Sequence, residues 1–99
     1  MRYLSVEMPD RSKWGVPVEM IARARATHYA SEWGGDVERS LKEDTLPLFA
    51  DDDYEIEDWA VNNMNWSDFD GRQVKLADAP APDFQEAWLS GTKEVVDAV

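Results

Sequence analysis

Lys13-Trp14-Gly15-Val16-Pro17-Val18-Glu19-Met20-Ile21-Ala22-Arg23-Ala24-Arg25-Ala26-Thr27-His28-Tyr29-Ala30-Ser31-Glu32-Trp33-Gly34-Gly35 changes period once. Lys13–Val16 reads as a short strand. From Pro17 onward Ile21, Ala24, His28 and then Glu32 or Trp33 recur at helical spacing. Proline suits the first helical position, where its missing N–H is not needed. Ala22, Ala24, Ala26 and Ala30 add helix propensity, and their small side chains permit close packing on a sheet. Gly34-Gly35 supplies a left-handed stop. The pattern predicts a strand running straight into a helix over 17–33.

The flanks extend this unit. Upstream, Arg2–Met8 alternates, with Tyr3, Ser5 and Glu7 on one side and Leu4, Val6 and Met8 on the other. Pro9-Asp10-Arg11-Ser12 is a turn, so residues 2–16 form a hairpin. Downstream, Asp36 caps a second helix over 36–45, with Val37 and Leu41 inward. Pro47 is expected to end it, leaving Leu46, Leu48 and Phe49 as an irregular link into the core. A third helix spans 53–64 with the stripe Ile56, Trp59, Ala60 and Met64, and Asp52 and Glu55 have capping-box spacing. Asp68-Phe69-Asp70-Gly71 is a turn, Arg72–Ala77 a third strand, and Ala79-Pro80-Ala81-Pro82 a stiff connector.

Residues 83–97 have two readings. Phe84 and Trp88 are four apart, as on a helix; Ser90-Gly91 between Ala87-Trp88-Leu89 and Val95-Val96 reads as a hairpin turn, and strand is preferred. The expected fold is a single α+β domain: a small antiparallel sheet, from the N-terminal hairpin and C-terminal strands, packed against two to three helices.

Composition narrows the function classes. The chain has 99 residues, enough for one domain, with five Trp, three Tyr and three Phe to fill a core. Without cysteine it forms no disulfide or thiolate metal site. No stretch approaches the ~18 apolar residues of a membrane span, and Met1–Val6 has no apolar signal core before Glu7. A soluble protein that stays in the compartment where it is made, the cytoplasm, is expected.

The charge is concentrated. Glu32–Asp70 holds thirteen carboxylates against Arg39 and Lys42, so this segment carries the whole formal charge of −11. Such a charge opposes direct nucleic-acid binding and anionic membranes, and favours a basic protein or ribonucleoprotein partner. His28, the single histidine, falls within a helix and is expected to be partly buried. No serine lies in a nucleophile elbow, and no phosphate-binding, dinucleotide or metalloprotease motif is present, so no catalytic residue is assigned. A hydrolase using paired carboxylates is a third-rank alternative. Asp51–Asp58 offers oxygen ligands, but position six of an EF-hand loop would be Ile56 or Asp58 instead of glycine, and position twelve Asn62 or Met64. No metal and no cofactor is expected.

Helix capping accounts for some of these acids. The remainder, together with an exposed aromatic anchor, forms a candidate partner-binding set: Glu43, Asp44, Asp52, Glu55, Glu57, Asp58, Trp66, Asp68 and Asp70. Carboxylates three or four apart on a helix lie ~5–6 Å from each other at Cβ, near phosphate spacing, so such a face competes for a basic nucleic-acid groove. The alternative is that the charge serves only solubility.

Two stretches, Ser5-Val6-Glu7-Met8-Pro9-Asp10 with Lys13-Trp14 and Val16–Arg23, and Asp53–Ala60 with Asn62-Asn63-Met64-Asn65-Trp66, resemble short acidic proteins encoded in phages and prophages. That group includes anti-CRISPR proteins, several of which occupy DNA-binding surfaces of the interference complex as DNA mimics. The resemblance implies a non-enzymatic inhibitor of a host CRISPR effector. It carries over no individual residue. A phage accessory or structural protein, or a regulator of the host, is the alternative it leaves open.

Overall fold

The strand-to-helix junction is where the sequence places it. A computed structural model describes residues 2–97. β1 (Tyr3–Glu7) and β2 (Lys13–Pro17) pair antiparallel, with Leu4 opposite Val16 and Val6 opposite Trp14. The hairpin turn is held locally. Met8 N–H donates to Ser12 O at 2.8 Å, Arg11 takes a left-handed φ of 70°, and the Asp10 carboxylate accepts from the Ser12 hydroxyl and amide. Those two bonds, the hydroxyl's foremost, hold the Asp10 carboxyl below its ordinary pKa.

Pro17 closes β2 instead of opening the helix, and α1 (Val18–Tyr29) begins on the next residue. A 3₁₀ turn (Ala30–Trp33) completes the predicted helix to Trp33, and Gly34 ends it at φ 67°, a left-handed cap. Asp36 caps α2 (Val37–Ser40) by accepting from Arg39 N–H at 3.1 Å.

The expected break at Pro47 does not occur. α2 passes through a π-helical turn (Leu41–Thr45) into α3 (Leu46–Asp51), so Leu46, Leu48 and Phe49 are helical. The physical reason is the wider turn. Leu46 N–H reaches back five residues to Leu41 O, and the proline ring follows where an α-turn would set a carbonyl against it. α4 (Asp53–Asn63) follows at once, its Asp52 cap accepting from Tyr54 N–H at 2.9 Å. The predicted capping box does not form: the Asp52 side chain takes the Tyr54 amide instead of that of Glu55, and Asp52 N–H donates to Leu48 O. A second 3₁₀ turn (Trp66–Phe69) leads into the expected turn, where Arg72 N–H donates to Phe69 O at 2.8 Å and Gly71 takes a left-handed φ of 82°, and β3 (Val74–Ala77) adds to β2, giving the antiparallel order β1-β2-β3. Gly15 lies on the central strand, opposite Ser5 of β1 and Val74 of β3; a Cβ there would meet Leu76 Cδ1 at 2.9 Å and Tyr3 Cβ at 3.0 Å.

The core lies between sheet and helices. Val16 and Val18 pack with Ile21, Ala22 and Ala26 of α1, Leu41 and Phe49 of the α2–α3 run, Ile56 and Ala60 of α4, and Phe69. This is the expected α+β architecture. Ser40 is fully buried and its hydroxyl has no hydrogen-bond partner among the described residues. A buried orphan hydroxyl costs about 1–3 kcal/mol. Ser40→Ala is therefore expected to stabilise the fold by about 1 kcal/mol, with helix propensity acting in the same direction, read as a higher urea midpoint.

The preferred strand reading of 83–97 is corrected. Phe84–Ser90 is a helix, α5, and Gly91–Asp97 has no regular structure. Asp83 accepts from Glu86 N–H at 3.0 Å, so the cap decides for the helix over the Ser90-Gly91 turn. α5 stands away from the rest. The molecule measures 67 × 28 × 20 Å with a radius of gyration of 20.0 Å, against about 13 Å for a compact chain of this length. Among the described residues, no helix is long and apolar enough to cross a membrane.

Candidate acidic interaction face

α4 has two faces of different chemistry. Ile56 and Ala60 are buried and Trp59 is half-buried against α1. The opposite face carries Tyr54, Glu57, Asp58 and Val61, at i, i+3, i+4 and i+7. Tyr54 is 63% and Val61 72% exposed, so two apolar residues stand in water either side of two carboxylates. Together with Asn62 these four line a shallow depression of about 170 Å³. Neither Glu57 nor Asp58 has an ion-pair partner among the described residues; Asp58 accepts only from the Asn62 side-chain amide, at 3.1 Å.

Val61 continues this face toward Trp66. Both border a groove floored by Leu4, Val16 and Phe69. Trp66 is exposed, and on its other side it shares a cleft of about 350 Å³ with Met8, Trp14, Asp70 and Gln73. Gln73 Nε2 donates to Trp66 O at 3.1 Å and fixes the start of that turn. Glu57, Asp58, Trp66 and Asp70 are thus brought onto one continuous surface.

The other five predicted site residues are placed elsewhere. Glu43 pairs with Arg39 at 2.8 Å, a hydrogen bond and charge that raise the arginine above its ordinary pKa. Asp44 pairs at 3.1 Å with Arg25, which also donates to Thr45 Oγ1 at 2.9 Å and stacks on the Tyr29 ring. Asp52 is the α4 cap. Glu55 turns toward the half-buried side of α4. Asp68 accepts from Asn65 N–H at 2.7 Å in a capping box, and lines a separate cleft with His28 and with Asn62, which also borders the depression of Glu57 and Asp58. The positions of Glu43, Asp44, Asp52 and Asp68 follow from bonding that the charge count does not contain. Two further acids of the stretch are also held within the fold, Glu38 by Arg23 at 2.9 Å and Asp53 by Arg2 at 2.6 Å. The Glu38 hydrogen bond, with its charge and that of Glu19, raises Arg23 above its ordinary value.

Tyr54 and Val61 were not among the predicted site residues. Their signal is present in the sequence: both fall off the Ile56-Trp59-Ala60-Met64 stripe, seven residues apart, so a helix that buries the stripe must expose them. His28 corrects a second expectation. It is exposed, edge-on to Tyr29 at 4.8 Å and to Trp59 at 6.2 Å between ring centroids. Among the described residues, no group of three or more His, Asp or Glu side chains is placed to hold a metal ion.

Comparison of the chain with family models, with curated proteins and with solved structures finds no match.

Proposed function

We propose that the protein is a non-enzymatic binding protein that occupies a basic, nucleic-acid-binding surface of a host defence complex. A CRISPR effector is the specific case implied by the resemblance of its sequence to short acidic phage proteins. The observation that carries this reading is the outer face of α4. Glu57 and Asp58, without basic partners, sit between exposed Tyr54 and Val61 and continue to Trp66. Carboxylates of this kind exchange with phosphate as partners of Arg and Lys, and an adjoining aromatic supplies a desolvated anchor. Net charge of −11 steers encounter with a basic groove.

The test is inhibition of interference against a panel of effector types, followed by binding of the responsive effector to the double variant Glu57→Lys/Asp58→Lys. Both residues are surface positions, so the fold is retained. Affinity is expected to fall by at least about tenfold, mostly through the association rate, and its salt dependence to flatten. Undiminished inhibition by that folded variant would sink the proposal.

A second reading is favoured by the apolar members of the same face. Tyr54, Val61 and Trp66 suit a phage accessory or host-regulating protein that binds through apolar contacts while charge maintains solubility. It requires binding that is indifferent to ionic strength and lost in Trp66→Ala.

A further inference from the structure

The hairpin and the second 3₁₀ turn bring two tryptophans to one cleft. Trp14 lies on β2, opposite Val6 and Lys75, and Trp66 opens the turn Trp66–Phe69. With Met8, Asp70 and Gln73 they line the cleft of about 350 Å³ described above, large enough for one long side chain. Trp66 is 44% exposed and Trp14 is half-buried. Among the described residues, neither ring stacks on another aromatic.

One side chain sets the polar character of this cleft. Gln73 Nε2 donates to Trp66 O at 3.1 Å and to Asp70 Oδ1 at 3.4 Å. Both amide protons are thereby directed inward, which leaves Gln73 Oε1 as an acceptor. The Asp70 carboxylate has no ion-pair partner among the described residues and keeps acceptor capacity of its own. Two indole rings, a thioether, a carboxylate and an amide oxygen therefore meet in one place.

Such a lining attracts cations, because the negative faces of the rings and the carboxylate act in the same direction. Trp14 already draws one cation of the chain. Lys75 Nζ stands 5.9 Å from its ring centroid, at the edge of the ~6 Å range of this contact, and is shared with Asp78 at 3.1 Å. Lys75 does not line the cleft, and no cation of the described residues stands over Trp66.

The acceptors decide which cation fits. A quaternary ammonium has no N–H to give to Asp70 or Gln73, and a primary ammonium is compact and strongly hydrated. A guanidinium is planar, stacks on an indole and carries five donors in a fork that matches a carboxylate. We infer that the cleft takes the guanidinium of an arginine side chain, stacked on Trp66 beside Trp14 with its N–H groups directed to Asp70 and Gln73 Oε1. The source of that arginine is the basic partner, which rests on the reading under Proposed function; the chemistry of the cleft does not.

The test is an NMR titration of the full chain with N-acetyl-arginine amide. The indole N–H signals of Trp14 and Trp66 and the Gln73 side-chain amide are expected to shift together and saturate, with a Kd on the order of a few millimolar. The uncharged citrulline analogue is expected to give no saturating shift, and tetramethylammonium to bind more weakly than the arginine probe. Trp66→Leu keeps an apolar side chain at an exposed position, and Asp70→Asn keeps an acceptor for Gln73. Each is expected to weaken binding by about five- to tenfold. Shifts that remain linear to about 50 mM overturn the inference, as does equal binding of the citrulline analogue or undiminished binding in either variant. Tighter binding of tetramethylammonium overturns the choice of a guanidinium. Failure of the probe leaves the α4 reading standing, because Glu57 and Asp58 do not line this cleft. Undiminished inhibition by Glu57→Lys/Asp58→Lys would in turn leave the arginine titration unchanged.

Discussion

Phe49→Ala is expected to remove about 3–5 kcal/mol of folding stability. Phe49 is 2% exposed and lies where the α2–α3 run meets α1 and α4. Its neighbours Ile21, Ala22 and Leu41 are held by their own helices and collapse only partly into the space left. The loss therefore combines transfer of the ring with a cavity term. A small domain has about 5–15 kcal/mol in all, so this single change brings the fold near its limit. The check is urea denaturation by tryptophan fluorescence, with a large fall in midpoint at constant slope. A change under ~1 kcal/mol would mean that the surface groove beside Phe49 closes over the cavity.

The second large effect is expected at Arg25. Its side chain is 13% exposed and that of Asp44 30%, which makes this the least exposed ion pair among the described residues. Arg25 joins α1 to the π turn through Asp44 and Thr45 Oγ1. Removing it leaves a carboxylate short of solvent and a buried hydroxyl without its donor. Arg25→Ala is therefore expected to destabilise by about 2–3 kcal/mol, below the full figure for a wholly buried pair because Asp44 retains some water. Arg25→Ala/Asp44→Ala is expected to lose less than the two single changes added together, since it strands no charge. A thermal double-mutant cycle measures the coupling; strict additivity would remove Asp44 from the fold's framework and return it to the acidic surface.

Much of the fold was legible because its signals are local. The alternation of Arg2–Met8, the spacing from Pro17, the glycine pair at 34–35 and the Asp36 and Asp52 caps each specify a few residues and agree with one another. Pro47 was misleading because its effect depends on the turn before it, and a π turn has no marker in composition. At 83–97, the Ser90-Gly91 turn signal outweighed the Phe84–Trp88 spacing, and the Asp83 cap that decides for the helix acts through one hydrogen bond. The candidate site was legible in part. Glu57, Asp58, Trp66 and Asp70 share a surface, whereas Glu43 and Asp44 are turned to arginines four and nineteen residues away. Ion pairs between elements depend on how the elements dock, and a count of charge along the chain does not contain that.

The π turn at Leu41–Thr45 has a consequence for how chain length varies here. A turn that closes over five residues where four suffice holds one surplus residue, so losing one at Lys42 or Glu43 would leave Phe49 in phase with the core. Pro47 opposes that loss, because the tightened turn would bring a carbonyl up against its ring. Insertion and imino acid therefore maintain each other. A lineage that shortens this helix by one residue must first have exchanged Pro47, and a lineage that keeps Pro47 is held to the longer path.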